Sequence, residues 1–398
     1  MTRYYDDLET RAPEERNAAQ LAALAAQVAL VLDRDDNCLP DVAVNTLSDL
    51  AKFPVLRKSD LSAWQNDKPP FGGIHTSNVT HIFQSPGPIY EPGGSCHDWW
   101  RFGRFLQACG IGRDDIVQNC FGYHLTPAGT MFENGARAVG AKVLPAGTGQ
   151  TELQVRAAAD IGTTAYAGTP DYLKVILEKA DELGVTLQIT KAAVSGGALF
   201  PQLRQYYADR GITCLQCYAT ADLGHIAYET TPGEGMVVDE GVIVEIVTPG
   251  TGDAVPEGEV GEVVVTSLNP DYPLIRFATG DLSAVMPGVS PCGRTNMRIK
   301  GWMGRADQTT KIKGMFVRPE QVAELVRRTG VARARVIADR AGDSDTMTVQ
   351  VEGTAPDEAA LVAAIKDILK LKGDVQCYPD GTLPRDGLVI EDRRAYET

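Results

Sequence analysis

The stretch TTAYAGTPDYLKVILEKADELGVTLQITKAAVSGG, residues 163–197, decides the fold class. It contains a short apolar run, a helical segment over 170–183, and a second apolar run that ends in a glycine pair. Two short strands joined by one helix form a β-α-β unit, in which the strands run parallel. The stretch therefore predicts an α/β protein with a parallel sheet.

The same alternation of strands and helices extends in both directions along the chain. Further strands are predicted in DIVQNCF, KVLPAG and TCLQCY, with helices over 151–161 and 200–210 and one ending at GARAVGA. Ligands of such sheets bind beyond the carboxyl ends of the strands. We therefore expect the loops at those ends to converge on one rim: FGYH, PAGTGQT, AGTP, SGGA and YATADLG.

Two helices are predicted before this region. Residues 13–32 begin with Pro13, carry glutamates in the first turn and continue as an Ala/Leu-rich run. The segment CHDWWRFGRFLQACGI is predicted to be a buried helix, because four large apolar residues recur at helical spacing: Trp99, Phe102, Phe105 and Leu106.

After residue 236 the pattern becomes β-rich. GVIVEIV, GEVVVTSL and PLIRFATGDLSAV favour an antiparallel sheet or a distorted β-barrel. Strands over 334–338 and 346–351 and a helix over 357–371 then predict a small α+β domain. With the boundary placed between Gly304 and Gly314, we expect a large domain over 1–304 and a small one over 305–398.

Composition excludes several classes of function. The chain has 398 residues, a formal net charge of −14 and a pI near 4.9, without a Lys/Arg block that would attract nucleic acid. No run approaches the roughly 20 apolar residues of a membrane span, and the first residues lack the apolar core of a signal peptide. We expect a cytoplasmic protein whose eight cysteines are reduced thiols.

One cysteine spacing is compatible with a metal. Cys214 and Cys217 form a C-x-x-C pair that, with His225 and Cys292, offers four ligands for zinc. A single such pair beside an apolar strand is weak evidence, and buried thiols acting as small apolar side chains are the favoured interpretation.

The order of motifs along the chain resembles the phenylacetate-CoA ligase family of adenylate-forming enzymes. The resemblance covers nearly the whole chain and rests on seven segments taken together: PAGTGQTELQ, GTPDYL, SGGALF, YATADLG, GEVVVTSLNPDYPLIRFATGD, PCGRT and GRADQTTKIKGMFVRPEQV. It implies a large AMP-binding domain with parallel sheets and a distorted barrel, followed by a small mobile domain. It also implies ATP, Mg²⁺ and coenzyme A as reactants or cofactors, a carboxylic acid substrate, and a homodimer, which the family commonly forms.

The resemblance assigns roles on the adenosine side. Tyr218 matches the tyrosine that stacks on adenine, Asp281 the acid that accepts the ribose hydroxyls, and Arg305 an arginine near the ribose. The loop along the adenine face corresponds to Gly196, Gly197 and Ala198. Taken singly, Tyr218 is as compatible with a core position and Asp281 with a turn cap.

Other roles concern the phosphates and the acid. Asp222 replaces the family's glutamate that holds Mg²⁺, and Thr220 is the nearest hydroxyl, because the hydroxyl residue expected just before that acid is an alanine here. Phe121, Tyr123 and His124 resemble the wall of the acyl pocket, although a structural histidine is as compatible with the pattern.

The chain departs from the family where triphosphate is handled. Relatives carry a Ser/Thr/Gly-rich loop ending in lysine, whereas this chain reads SPGPIYEPGG, in which only Ser85 and Gly87 keep that character. The C-terminal lysine has no counterpart, and Arg385 is the nearest cation. Gln308 occupies the usual aspartate position of the hinge.

Three hypotheses follow. The favoured one is an ATP-dependent acid–CoA ligase for an aromatic or small organic acid, with Thr220, Asp222 and Arg385 as replacements. The second is a relative that does not ligate and binds AMP, an acyl-adenylate or acyl-CoA as a sensor or carrier. The third, from another class, is a zinc-stabilised scaffold or partner subunit built on the Cys/His set.

Overall fold

The computed structural model describes residues 3–32, 39–306, 308–313, 315–341, 344–353 and 358–394. It divides into two compact units. The larger comprises Met1–Val244, Val265–Phe277 and Met286–Gly301, and the smaller comprises Glu245–Val264, Ala278–Val285 and Trp302–Thr398. The smaller unit thus includes two β-rich segments that precede the predicted boundary. Gly314 and position 357, which bound the predicted hinge and the last predicted helix, lie outside the described residues.

The helices are as follows: α1 Pro13–Leu32, α2 Lys58–Asp67, α3 Gly103–Ala108, α4 Ala128–Ala138, α5 Thr151–Ile161, α6 Pro170–Leu183, α7 Pro201–Asp209, α8 Pro319–Thr329 and α9 Glu358–Leu369. Short 3-10 helices span Asp7–Thr10 and Leu47–Lys52. Within the described residues, no helix combines the length and apolarity needed to cross a membrane.

The strands are as follows: β1 Leu56–Arg57, β2 Val79–Ser85, β3 Ile89–Gly94, β4 Ile116–Asn119, β5 Lys142–Pro145, β6 Ala165–Gly168, β7 Lys191–Val194, β8 Thr213–Thr220, β9 Gly224–Tyr228, β10 Met236–Val238, β11 Val242–Val247, β12 Val260–Ser267, β13 Phe277–Met286, β14 Arg298–Ile299, β15 Thr310–Ile312, β16 Met315–Val317, β17 Arg333–Ala341, β18 Ser344–Glu352, β19 Asp374–Tyr378 and β20 Ile390–Asp392.

The predicted parallel sheet lies in the larger unit. Its strands run in the order β5-β4-β6-β7-β8, and each neighbouring pair is parallel. Apolar residues of β6, β7, α6 and α7 form one buried cluster that includes Tyr166, Leu173, Val194 and Tyr207. The α/β prediction is confirmed, and the loops after these strands leave from one edge of the sheet.

Helix ends follow local chemistry. Helix α6 has Pro170 in its first turn, where the missing N–H leaves no hydrogen bond unmade, and ends at Gly184 with a left-handed φ of 65°. Helix α5 ends in the same way at Gly162, with φ of 64°. The bounds predicted for α1, α5 and α6 are confirmed.

The aromatic helix is shorter than predicted. Asp98 and Arg101 have positive φ values of 50° and 67°, which interrupt any helix before α3. The Asp98 carboxylate accepts the Gly103 N–H at 3.0 Å and so supports the beginning of the helix there. The aromatic residues of this segment are buried in the core nonetheless.

The smaller unit contains the predicted α+β fold. Its sheet has the order β19-β18-β17-β20, with β17 and β18 antiparallel and both outer pairs parallel. One face is covered by α8 and α9 around a buried cluster that includes Leu325, Val336, Val349, Leu361 and Ile365. Strands β15 and β16 form a separate hairpin.

Candidate active site

The loops beyond the parallel strands converge as predicted. The Ser195 hydroxyl, after β7, donates to the Cys217 carbonyl oxygen of β8 at 3.0 Å. A Cβ atom placed on Gly196 would lie 3.7 Å from Phe121, which follows β4, and from Thr169, which follows β6. Three of the five predicted loops therefore touch one another at this rim.

Tyr218 lies at the end of β8, where the chain turns back into β9. The residue is 9% exposed and pairs with Ala227 of antiparallel β9, and a bulge follows it. Gly224 has φ of 73°, and a Cβ there would approach the Trp100 carbonyl oxygen to 3.0 Å, so this turn requires glycine. The loop after β7 exposes Gly196, Gly197 and Ala198 beside this strand end.

Asp222 has a partner that sequence reasoning missed. Its Oδ2 atom accepts from Lys58 Nζ at 3.1 Å, although the residues lie 164 positions apart. The Asp222 residue is 8% exposed, and its Oδ1 atom is buried without a hydrogen-bond partner. The Lys58 side chain is 43% exposed, at the first position of α2, so its ammonium faces both the acid and solvent.

Thr220 takes part in the turn itself. Its hydroxyl oxygen accepts the Leu223 N–H at 3.1 Å. The hydroxyl hydrogen is still available for donation, because accepting one hydrogen bond leaves the O–H free to rotate. Thr220 therefore fixes the Asp222 turn in addition to any role toward a ligand.

The segment that replaces the phosphate loop is a β-hairpin. Strands β2 and β3 pair antiparallel from Val79↔Gly94 to Ser85↔Ile89, which leaves Gly87 in the connecting turn. The Ser85 hydroxyl donates to Glu91 Oε1, so it is turned into the hairpin.

Glu91 is 1% exposed and carries a buried Oε2 atom without a hydrogen-bond partner. Burial raises the pKa of Glu91 to about 7, and the negative charge of Asp222 adds to this effect. Burial is the main cause of the raised pKa of Tyr272, and the charges of Asp222 and Glu91 raise it further. The buried Tyr272 hydroxyl also lacks a hydrogen-bond partner. Glu91, Asp222 and Tyr272 are therefore close enough to interact electrostatically.

The three predicted acyl-pocket residues differ in environment. Phe121 is buried and stacks on Phe132 with ring centroids 4.3 Å apart. The Tyr123 hydroxyl accepts from Asn119 Nδ2 at 2.8 Å, and burial raises the pKa of Tyr123. His124 is exposed. Phe121 and Tyr123 thus have fixed positions that a pocket wall requires.

Asp281 and Arg305 lie together in the smaller unit. Asp281 Oδ1 accepts from Arg305 Nη1 at 2.9 Å and from Trp302 Nε1 at 3.1 Å. Gly280 has φ of 72°, and a Cβ there would lie 2.7 Å from the Arg305 guanidinium, so only glycine permits this approach. The predicted pair is therefore brought into contact, and Trp302 is a further partner.

Gln308 and Arg385 also belong to the smaller unit. Gln308 Nε2 donates to the Gly387 carbonyl oxygen at 2.8 Å, while its Oε1 accepts from the backbone N–H groups of Val389 and Ile390 at 2.6 and 2.8 Å. An aspartate has no donor for the first of these bonds, which explains why glutamine suits this position. Arg385 pairs with Glu259, and both side chains are partly exposed.

The structure does not bring the four proposed zinc ligands together. No group of three or more potential ligands is clustered within the described part of the chain, which includes all four proposed residues. Cys214 packs in the apolar core, and His225 is buried with its ring stacked on Phe105. Cys214 and Cys217 are three positions apart on one strand and so point to opposite faces. The fourth proposed ligand, Cys292, belongs to a different site, described below.

Comparison with known proteins places the chain among CoA ligases. The phenylacetate-coenzyme A ligase of Aromatoleum evansii is 30% identical over 329 residues, covering 78% of this chain and 73% of that protein. The chain belongs to the phenylacetate-CoA ligase family. The Escherichia coli enzyme of the same name is also 30% identical, covering 77% and 73%, and that of Thermus thermophilus is 28% identical, covering 89% and 85%. No protein-family profile matches this chain.

Solved structures agree on the fold of this family member. A 2-hydroxyisobutyryl-CoA ligase in the postadenylation state gives a TM-score of 0.72 at 23% identity, covering 98% of this chain and 93% of that one. The open conformation of the same ligase gives 0.71 at 22% identity, covering 96% and 92%. The chain therefore has the adenylate-forming fold that its motifs implied.

Proposed function

We propose that this chain is an ATP-dependent acid–CoA ligase that forms an acyl-adenylate and then an acyl-CoA thioester. The observation that carries the proposal is the Lys58–Asp222 pair at 3.1 Å. The pair provides an ammonium and a carboxylate beside the Tyr218 turn. The segment SPGPIYEPGG lacks the lysine that the family's phosphate loop carries. The charges that phosphate handling needs are thus available from another element.

The chemistry explains why such charges are needed. The substrate carboxylate attacks the α-phosphorus of ATP, the bond to pyrophosphate breaks, and negative charge develops on the phosphate oxygens. The partly exposed Lys58 ammonium would stabilise that charge, and the Asp222 carboxylate would orient the ammonium. In the second half, the CoA sulfur attacks the acyl carbon and AMP leaves with the bonding electrons.

The remaining residues would bind adenosine. We propose that the Tyr218 ring stacks on the purine next to the exposed loop over 196–198. In the smaller unit, Asp281 accepts hydrogen bonds from Arg305 and Trp302, and we propose that its carboxylate accepts the ribose hydroxyls.

Magnesium fits the residues present. Asp222 Oδ1 and Glu91 Oε2 are buried oxygens without hydrogen-bond partners, and Mg²⁺ favours one or two carboxylates together with substrate phosphates. Asp222 would hold the ion, with Glu91 as an adjacent oxygen donor. When bound, the ion neutralises phosphate charge.

We propose an aromatic or small organic acid as substrate. Phe121 and Phe132 stack in the core, and Tyr123 is fixed by Asn119, so these rings have defined positions where the family resemblance expects the acyl pocket. Rigid aromatic side chains favour planar or compact acyl groups over long flexible ones.

A second candidate function is binding of AMP or acyl-CoA without ligation. It is favoured by Glu91, which adds a second buried acid beside Asp222 and would repel a triphosphate that lacks enough bound metal. Arg385, the replacement for the C-terminal lysine, is paired with Glu259.

Pyrophosphate release tests the proposal. Purified protein is incubated with Mg-ATP, CoA and a panel of aryl and short aliphatic acids, and pyrophosphate and AMP are measured. We expect acid-dependent release of both products in equal amounts. If no acid elicits pyrophosphate while calorimetry shows AMP binding, the second candidate replaces the first.

A further inference from the structure

Cys292 lies in a cavity that the proposed ligase reaction does not use. The cavity has a volume of about 490 Å³, belongs to the larger unit, and is lined in part by Cys292, Arg294, Arg3 and Thr230. Cys292 follows the proline of the PCGRT segment. The family resemblance assigns no role to this segment.

The surroundings of Cys292 favour a thiolate. The Ser290 hydroxyl lies 3.0 Å from the Cys292 sulfur, and Arg294 Nη1 lies 3.5 Å from it. Although burial raises the pKa of the Cys292 thiol, hydrogen bonds from Ser290, Thr230 and Arg294 lower it to about 7. At pH 7 such a group is about half thiolate, against roughly 3% for an ordinary cysteine.

Five of the other described cysteines show the opposite tendency. Burial raises the pKa of the thiols of Cys96, Cys109, Cys120, Cys214 and Cys217. Reactivity toward electrophilic sulfur depends on the thiolate fraction and on access. Cys292 itself is only 8% exposed, but it lines the cavity, and it is the described cysteine whose pKa is lowered.

Two guanidinium groups line the cavity. Arg294 is 3% exposed, donates to Glu9 through Nε, and has a buried Nη2 atom without a hydrogen-bond partner. Arg3 adds a second, exposed guanidinium to the lining. The carboxylate of the lining, Glu234, lies 3.6 Å from Arg298 and is therefore partly neutralised.

We propose that Cys292 is a site of reversible S-thiolation by low-molecular-weight disulfides that carry carboxylates, which Arg294 and Arg3 attract. The Cys292 thiolate attacks one sulfur of the disulfide, a new S–S bond forms, and the old one breaks. The second sulfur leaves as a thiolate with the bonding electron pair. Cys292 is oxidised, the leaving sulfur is reduced, and an excess of the reduced thiol reverses the reaction.

Two disulfide probes of opposite character test this proposal on the full chain. The dianionic 5,5′-dithiobis(2-nitrobenzoate) and the neutral 2,2′-dithiodipyridine are reacted at pH 7, and peptide mass spectrometry assigns the modified cysteine. We expect the anionic-to-neutral rate ratio at Cys292 to exceed that at exposed Cys96 by about tenfold, despite the net charge of −14. The rate at Cys292 should rise with pH around a midpoint near 7.

Two variants separate the cavity from the thiol. Arg3→Gln, at an exposed position, should slow the anionic probe severalfold at Cys292 and leave the neutral probe unchanged. Cys292→Ser should abolish the addition of one glutathione after incubation with glutathione disulfide. An equal rate ratio at Cys292 and Cys96, a pH midpoint near 9, or glutathione addition that survives Cys292→Ser would overturn the proposal.

Discussion

The proposed adenosine side and the proposed phosphate side of the rim differ in how far they keep the residues that the family resemblance leads us to expect. Tyr218 and the Gly196–Ala198 loop keep the residue types that the family resemblance assigns to them. On the phosphate side a hairpin with a buried glutamate replaces the lysine-bearing loop, and Lys58 reaches Asp222 from α2. Under our proposal, Lys58 supplies the charge of the missing lysine from an element that is distant in the sequence but close in space.

The largest effect is expected from Asp222→Asn. The amide keeps the shape but loses the charge that faces Lys58 and the phosphates, so the rate of adenylation should fall about a thousandfold, equivalent to about 4 kcal/mol. The fold should persist, because Lys58 is partly solvated. Acid-dependent pyrophosphate release measures the loss, with Asp160→Asn at an exposed position of α5 as the control. A loss below tenfold would remove Asp222 from the phosphate site.

Glu91 is expected to make stability depend on pH. Its pKa is about 7 in the folded protein and 4.5 as the ordinary value, so the folded state binds the additional proton between these values. Stability from this group is therefore complete below pH 4.5, declines as pH rises, and is gone above about pH 7. The total change is on the order of 3 kcal/mol.

Glu91→Gln removes this dependence. The variant should gain stability relative to the unchanged protein as pH rises from 4.5 to 7, as measured by urea unfolding at several pH values. Glu257→Gln, at an exposed position, is the matched control and should show no such trend. If the difference in unfolding free energy between Glu91→Gln and the unchanged protein does not vary with pH, Glu91 does not have the raised pKa.

A smaller effect is expected at Tyr218. Tyr218→Ala removes the stacking face and should weaken AMP binding about tenfold, since stacking on an aromatic ring contributes roughly 1–3 kcal/mol. Tyr218→Phe keeps the ring and should bind AMP nearly as well. Calorimetry with AMP distinguishes the two variants, and equal affinities for both would show that the ring does not face the purine.

The smallest effect is expected at Gln308. Gln308→Asp removes the donor to Gly387 but keeps an acceptor for the backbone of β20, so the free energy of unfolding should fall by about 1 kcal/mol. Denaturant unfolding followed by hydrogen exchange in the smaller unit measures it. An increase in stability would indicate that the glutamine is retained for another reason.

Much of the fold follows from local signals in the sequence. The bounds of α5 and α6 were predictable because glycines and a proline mark their ends. The extent of α3 was not predictable, because the aromatic residues recur at helical spacing although Asp98 and Arg101 have positive φ angles that a helix excludes. The β2–β3 hairpin was also missed, since prolines in the segment argue against strands.

The site was predictable only in part. The convergence of the loops followed from parallel topology, whereas the hydrogen bond between Arg305 and Asp281 was not predicted. The pairing of Lys58 with Asp222 joins residues 164 positions apart and leaves no periodic or motif signal. The proposed zinc ligands are not clustered in the described part of the chain, because cysteines three positions apart on one strand point to opposite faces.

The most direct test of the relocated phosphate site is ATP–pyrophosphate exchange by Lys58→Met, measured beside AMP binding. Lys174→Met, which breaks an exposed lysine–glutamate pair on α6, is the matched control. Loss of one cation on the reacting phosphates should reduce exchange about a hundredfold, roughly 3 kcal/mol, and leave AMP affinity within twofold. Unchanged exchange in Lys58→Met, or equal losses in both variants, would contradict the account.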